Sequence, residues 1–162
     1  MTNYLTLPTG DAAPAEVNAV IEIPRGQTNK YEYDKQLHVF RLDRNLYSPV
    51  HYPGDYGFIP STLSLDGGPL DVLVLVDAPS FTGCVMVVRP IGVLKMIDQG
   101  SEDEKILAVG LTNPIYKDVE ITINFIRTCC WKSNTSSLFI RSLRQRQLEY
   151  RAGRTRQRRA KL

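Results

Sequence analysis

The stretch of this sequence best equipped for chemistry is Asp66-Gly67-Gly68-Pro69-Leu70-Asp71, where two carboxylates bracket a Gly-Gly-Pro turn just before the apolar run Asp71–Val76. A turn at a strand entrance can aim both carboxylates into one cavity, and hard oxygen ligands are what magnesium prefers. The same six residues would serve equally well as a surface turn with two solvated aspartates. A second acidic group, Asp98 and then Glu102-Asp103-Glu104-Lys105, leads into the apolar run Lys105–Val109. Alone it reads as a solvated loop; beside the first group it offers another wall of carboxylates and a lysine. Glu22 lies between Ile21 and Ile23, and Glu32 between Tyr31 and Tyr33. These are acids inside strand-like runs, where Glu is disfavoured; each either faces water or converges with the others on a cation. Lys30, Arg44, Tyr52, Tyr56 and Lys105 accompany them. Arginine offers a planar fork to phosphate oxygens and lysine a point charge. Tyrosine hydroxyls donate without adding charge, although Tyr52 and Tyr56 could equally be packing residues.

Short strands must hold these groups. Val17–Ile23 is β-branched and stops at Pro24, with the turn Arg25-Gly26 after it; Lys30–Asp34 alternates; His38–Leu42 reads as a third strand. Ser48–Leu65 is punctuated by Pro49, Pro53, Gly54, Gly57 and Pro60 and reads as a loop. Asp71–Val76, Val85–Leu94 and Lys105–Val109 read as further strands. Strands at roughly ten-residue spacing with turn signals between them predict a barrel or sandwich. Met1–Ala15, rich in Thr, Pro, Gly and Ala, reads as a mobile or loosely packed arm.

The 162 residues fit one domain, with an ordinary 43% apolar and 23% charged content. No run approaches the roughly 18 apolar residues of a membrane helix, and no basic-then-apolar leader opens the chain, so the cytoplasm is expected. Three cysteines, Cys84 and the adjacent Cys129 and Cys130, form no disulfide framework and agree with a reducing compartment. Charge is segregated. From Arg127 to Leu162 eleven Lys and Arg oppose one acid, Glu149, for a net +10, whereas Met1–Ile126 carries a net −7. An acidic body suits divalent cations, and the low-complexity run Arg154–Lys161 could bind polyanions.

Taken together, the ordered segments resemble the family I soluble inorganic pyrophosphatases of the bacterial type. The resemblance runs from about Val17 to Asp118. It is carried by VIEIP at Val20–Pro24, KYEYD at Lys30–Asp34, Asp43-Arg44 and YPGDYGFIP at Tyr52–Pro60. It continues with TLSLDGGPLD at Thr62–Asp71, RPIGVLKMID at Arg89–Asp98 and EDEKILAV at Glu102–Val109. It implies a mainly β (α+β) fold, an OB-like closed five-stranded barrel with flanking helices, which hydrolyses pyrophosphate with several Mg²⁺ ions. Position by position it implies Asp66, Asp71 and Asp103 as core metal ligands and Asp98 near a further ion. It implies Glu22 and Glu32 on outer metal or its water, and Lys30, Arg44, Tyr56 and Lys105 on substrate phosphates, supported by Tyr52. A homo-oligomer, a hexamer in bacteria, is implied too.

The sequence departs from that family twice. The family's turn has a third aspartate, which helps deprotonate the attacking water, where this chain has Gly68, so an impaired hydrolase is expected. After Lys117-Asp118-Val119 the match dissolves, and the family's substrate-touching Tyr-Lys pair falls near Ser142-Leu143. The expected division is therefore a barrel domain over 1–119 and an atypical, poorly ordered basic segment over 120–162, whose sudden onset has the look of a shifted reading frame. The competing expectations are a pyrophosphatase-like protein that binds metal and polyphosphate with little turnover, and a polyanion-binding module acting through the basic segment.

Overall fold

The computed structural model describes residues 2–46, 51–98, 101–116 and 126–131. After a short 3-10 helix at Tyr4–Thr6 come eight strands: β1 Val17–Ile23, β2 Asn29–Asp34, β3 Val39–Asn45, β4 Asp55–Ile59, β5 Leu70–Leu75, β6 Val85–Asp98, β7 Ser101–Gly110 and β8 Ile126–Trp131. Five of them close on themselves. β1 pairs with β4, β4 with β5, β5 with β7 and β7 with β6, and β6 returns to β1 through Val85–Val88. All these pairings are antiparallel except β5–β7. The expected closed five-stranded barrel is thus present. Each of these five strands is thereby paired on both sides along part of its length or by turns along it. The far half of β6, beyond an irregularity between Pro90 and Gly92, carries β8 in parallel from Leu94 to Asp98. β8 falls within the 120–162 segment; residues 117–125 and 132–162 lie outside the described residues. Among the described residues the 3-10 turn is the only helix.

Strand alternation decides what fills the barrel. Ala19, Ile21, Val72, Val74, Val88 and Ala108 are all fully buried in one cluster with Val17, Ile59 and Val76. The opposite face of β1 and β4 is apolar as well. Val20 and Phe58 meet Tyr33 there, covered by Tyr4, Leu5, Leu7 and Phe40. The two-stranded β2–β3 hairpin is thereby clamped onto the barrel's outside. So is the N-terminal arm, expected to pack loosely: the Asn18 side chain donates to the Pro8 carbonyl at 2.8 Å and Ser61 N–H to the Leu5 carbonyl at 3.0 Å. Tyr4, Leu5 and Leu7 supply apolar area that overrides the Pro/Thr/Gly composition.

Two further expectations fail for physical reasons. The Ser48–Leu65 loop contains β4, a strand paired on both sides. Its Gly57 is a packing requirement: a Cβ there would stand 1.9 Å from the Val20 carbonyl oxygen. The acidic group Glu102-Asp103-Glu104-Lys105, which alone reads as a solvated loop, lies within the first half of β7, where pairing with β6 satisfies the backbone.

Candidate active site

Register brings the chemistry together. Asp71, at the mouth of β5, pairs with Lys105 on β7 and with Phe58 on β4; Tyr56 pairs with Leu73. Directly opposed residues share a face, and so do residues two apart on a strand. Tyr56, Asp71, Asp103 and Lys105 therefore occupy one face, opposite the barrel interior. Their floor is apolar: Leu73 and Leu94 are buried, with Tyr56 and Leu107 packed on them.

On this floor the polar groups interlock. Tyr56 Oη donates to Asp71 Oδ2 at 2.5 Å. Lys105 Nζ donates to the same oxygen at 2.5 Å and stands 3.1 Å from Tyr56 Oη. The ammonium also reaches Asp103, 3.0 Å from Oδ2 and 3.3 Å from Oδ1. Burial alone would favour neutral Lys105, but the charges and hydrogen bonds of Asp71 and Asp103 outweigh it and hold its pKa above the ordinary lysine range. Burial, reinforced by Asp71, pushes the Tyr56 hydroxyl well above the usual tyrosine value. It therefore stays protonated and can only donate to an anion without becoming one.

The hairpin and β1 supply a second rim. Glu22 accepts from Tyr33 N–H at 2.8 Å. Burial raises its pKa to about 7 against the pull of that hydrogen bond, and repulsion from Asp71 and Glu32 adds to the rise. Lys30 is paired with Glu32 and stands 3.8 Å from Asp43. Arg44, the β-partner of Lys30, is largely exposed with Nε 3.7 Å from Asp43. The Tyr52 ring lies 5.4 Å from that of Tyr56. Burial pushes Tyr52 up to about 12, opposed by the charge of Arg44 and aided by Glu22, Asp71 and Glu32. Glu22 thus lies within electrostatic reach of Asp71, Glu32 and Lys30, and Tyr52 within reach of Arg44, Glu22, Asp71 and Glu32.

Asp66 and Gly68 stand apart from that network. Asp66 is exposed, and its Oδ1 accepts from Gly68 N–H at 2.9 Å, closing its own turn. Among the described residues no three His, Cys, Asp or Glu side chains stand close enough to share a metal. Asp98 ends β6 opposite Ser101, and its side chain lies outside the described residues. The Ser142-Leu143 position does as well.

One supporting residue escaped the sequence reading. Asp55, the first residue of β4, is fully buried. Its two oxygens accept from Arg25 N–H at 2.8 Å and Ser80 N–H at 3.0 Å, while the Arg25 side chain donates to the carbonyls of Val76 and Asp77. Three chain segments are joined beside Tyr52 and Tyr56. A Pro-Gly-Asp tripeptide is also ordinary turn composition, so only the lack of an obvious solvent role for that aspartate could have signalled this.

A sequence model of the inorganic pyrophosphatase family matches residues 19–133, a range that takes in every candidate site residue from Glu22 to Lys105. The chain belongs to the inorganic pyrophosphatase family. It is 56% identical over 106 residues to an inorganic pyrophosphatase of Halalkalibacterium halodurans, covering 65% of each chain. Over 104 residues it is 58% identical to one from Synechocystis, covering 64% of this chain and 62% of the relative. The crystal structure of the inorganic pyrophosphatase of Thermus thermophilus superposes with a TM-score of 0.72 at 48% identity, covering 74% of this chain and 68% of that one. The chain therefore spans somewhat less than two thirds of the length of those two curated relatives.

Proposed function

We propose that this chain hydrolyses inorganic pyrophosphate to two phosphates with Mg²⁺, at a rate reduced by the absence of a side chain at position 68. The observation that carries the reading is the Lys105 ammonium held by Asp71, Asp103 and Tyr56 on one outer face of a barrel of this family. The donor set fits a hard cation. Asp71 and Asp103 already converge on one positive group, and one or two carboxylates plus substrate oxygens are a sufficient protein contribution for Mg²⁺. Asp71 and Asp103 would hold it; the family resemblance adds Asp66 as a further ligand, and Asp98, Glu22 and Glu32 for outer metal or its water. Bound Mg²⁺ supplies a water acidic enough to attack at neutral pH and neutralises phosphate charge. The remaining work belongs to the chain. Lys30, Arg44 and Lys105 offer cationic donors to the phosphates, and Tyr56, supported by Tyr52, a neutral one; these spread the charge of the transferring phosphoryl group.

Position 68 would hold the general base of the family's turn. A glycine cannot take a proton, and such a base contributes about 10²–10⁴-fold. The local geometry leaves room for one. It is Gly67 that takes the left-handed conformation, with φ +84°, and a Cβ at Gly68 would find its nearest neighbour, Asp66 Oδ1, at 3.4 Å. The test is phosphate release from pyrophosphate, with and without Mg²⁺, by this chain and by Gly68→Asp. Slow Mg²⁺-dependent release that rises in the variant is the expected result. Equal high rates would sink the impairment, and no release by either would sink the hydrolase.

The same reading puts the protein in the cytoplasm as a homo-oligomer, a hexamer by family resemblance; light scattering of the purified chain tests the assembly. No described helix is long and apolar enough to cross a membrane. The basic run Arg154–Lys161, on which a polyanion-binding role would rest, lies outside the described residues.

A further inference from the structure

Lys105 is unusually committed for a residue whose proposed duty is to hold phosphate. An ammonium has three N–H donors. Here they face four oxygens: Asp71 Oδ2 at 2.5 Å, both Asp103 oxygens at 3.0 and 3.3 Å, and Tyr56 Oη at 3.1 Å. Asp71 Oδ2 is equally occupied, since Tyr56 donates to it as well. The three charged side chains are mostly buried, at 18, 31 and 27% exposure for Lys105, Asp71 and Asp103. Water therefore screens their interactions poorly.

A divalent cation on Asp71 and Asp103 needs the lone pairs that Lys105 now uses. It cannot sit beside an undisplaced ammonium without strong repulsion across this short, poorly screened distance. The two cations are in competition for one pair of carboxylates. An oxyanion in front of the site changes the balance, because it offers the ammonium other acceptors. Drawing Lys105 onto a phosphate oxygen frees Asp71 and Asp103. Linkage then requires that the anion tighten cation binding and the cation tighten anion binding by the same factor.

We propose that Lys105 is a built-in competitor for the divalent cation, holding the oxygens of Asp71 and Asp103 until a phosphate oxyanion recruits its ammonium. This rests on the hydrolase reading for the identity of the cation and the anion. It adds that metal affinity without phosphate is deliberately weak, and that part of the metal–phosphate cooperativity passes through one side chain. A direct bond between metal and phosphate would also couple the two, so only the part that depends on Lys105 is in question.

The experiment is calorimetric titration of the full chain with Mg²⁺, with and without saturating inorganic phosphate. It compares the unaltered chain with Lys105→Gln, Lys105→Met and Lys30→Gln. Thermal unfolding of each confirms a folded state, and either Lys105 variant alone suffices. Lys30 serves as the charge control, since its partners are Glu32 and Asp43. Without phosphate, removing Lys105 should tighten Mg²⁺ binding by at least about 5-fold, the lower end of ordinary coupling between sites. Removing Lys30 should tighten it clearly less. The factor by which phosphate tightens Mg²⁺ should be smaller in the Lys105 variants than in the unaltered chain. Unchanged or weaker Mg²⁺ binding on losing Lys105 would overturn the proposal. An equal gain in Lys30→Gln would also overturn it, because simple charge removal would then suffice. Failure of every form to bind Mg²⁺ at millimolar concentration would remove the metal reading itself, an outcome distinct from binding that ignores Lys105.

Discussion

Two regions of this molecule carry aspartates toward the same chemistry, and they are built in different ways. In the strand region, Asp71, Asp103 and Lys105 are fixed by the β5–β7 register and stand on the apolar floor of Leu73 and Leu94. In the turn region, Asp66 is exposed and bonded to the backbone of its own turn, and a Cβ at Gly68 would meet only the Asp66 side chain, at 3.4 Å and beyond. A change in the strand region disturbs a packed layer. A change in the turn region disturbs almost nothing but chemistry. On the proposed reading, this is how a chain could keep the barrel and the ammonium–carboxylate network while differing at one position of the turn: a Cβ at position 68 would meet only the Asp66 side chain, at ordinary contact distance.

The largest effect expected from this contrast is on the turn side. Gly68→Asp should raise Mg²⁺-dependent phosphate release by about 10²–10⁴-fold. Its unfolding free energy should change by no more than ~0.5 kcal/mol, as for surface substitutions generally. A gain in rate bought with a marked loss of stability in urea would mean that the turn is packed more tightly than its geometry indicates.

On the strand side the expected changes touch stability as well as rate. Burial raises Glu22 to about 7, above its ordinary value of 4.5. A raised carboxyl favours the folded state while protonated. That contribution is fully present below about pH 4.5, is lost as pH climbs to 7, and stays lost above it. Glu22→Gln removes the titration while keeping an acceptor for Tyr33 N–H. With a chelator present, its stability advantage over the unaltered chain should grow between pH 4.5 and 7 and then level off at about 3 kcal/mol. Denaturant midpoints at pH 4, 6 and 8 would show it, and a pH-independent difference would refute it. Tyr56→Phe should cost less, about 1 kcal/mol for the lost hydrogen bond to Asp71, and should weaken phosphate binding more than it slows turnover. A steady-state analysis separating KM from kcat would reveal the opposite if Tyr56 acted on the reacting atoms.

The contrast also accounts for what could be read from the sequence. β1 was legible to the residue, because Val17–Ile23 is a β-branched run bounded by a proline. β4 was not, because the glycines that punctuate it are there for backbone proximity to Val20 and Val74, which composition renders as loop. The start of β7 was masked by its acids, whose backbone pairing with β6 is invisible along the chain. For the site, Tyr56, Asp71, Asp103 and Lys105 were singled out through the resemblance of the short motifs that hold them. Their meeting could not be derived: Asp71 and Lys105 are neighbours only through a parallel pairing of strands 34 positions apart, which no local pattern encodes. Asp55 remained hidden for a related reason, its partners Arg25 and Ser80 lying far from it in sequence.

The smallest expected effect discriminates within the turn itself. Gly67 and Gly68 are adjacent and chemically identical, yet only Gly67 has a positive φ. An L-residue in the left-handed region costs roughly 1–2 kcal/mol. Gly67→Ala should therefore destabilise by about 1 kcal/mol, even though nothing lies within 4 Å of its added Cβ. Gly68→Ala should be neutral or slightly stabilising, because alanine restricts the unfolded chain at a position whose native backbone it tolerates. Urea unfolding of the two variants side by side is the measurement. Neither alanine supplies a carboxylate, so Gly68→Ala should also leave phosphate release at its low level while Gly68→Asp raises it. If alanine at 68 restored the rate, the deficit would lie in backbone mobility of the turn and not in a missing base; if it destabilised as much as alanine at 67, the turn would need both glycines and position 68 could not have been free to lose its aspartate.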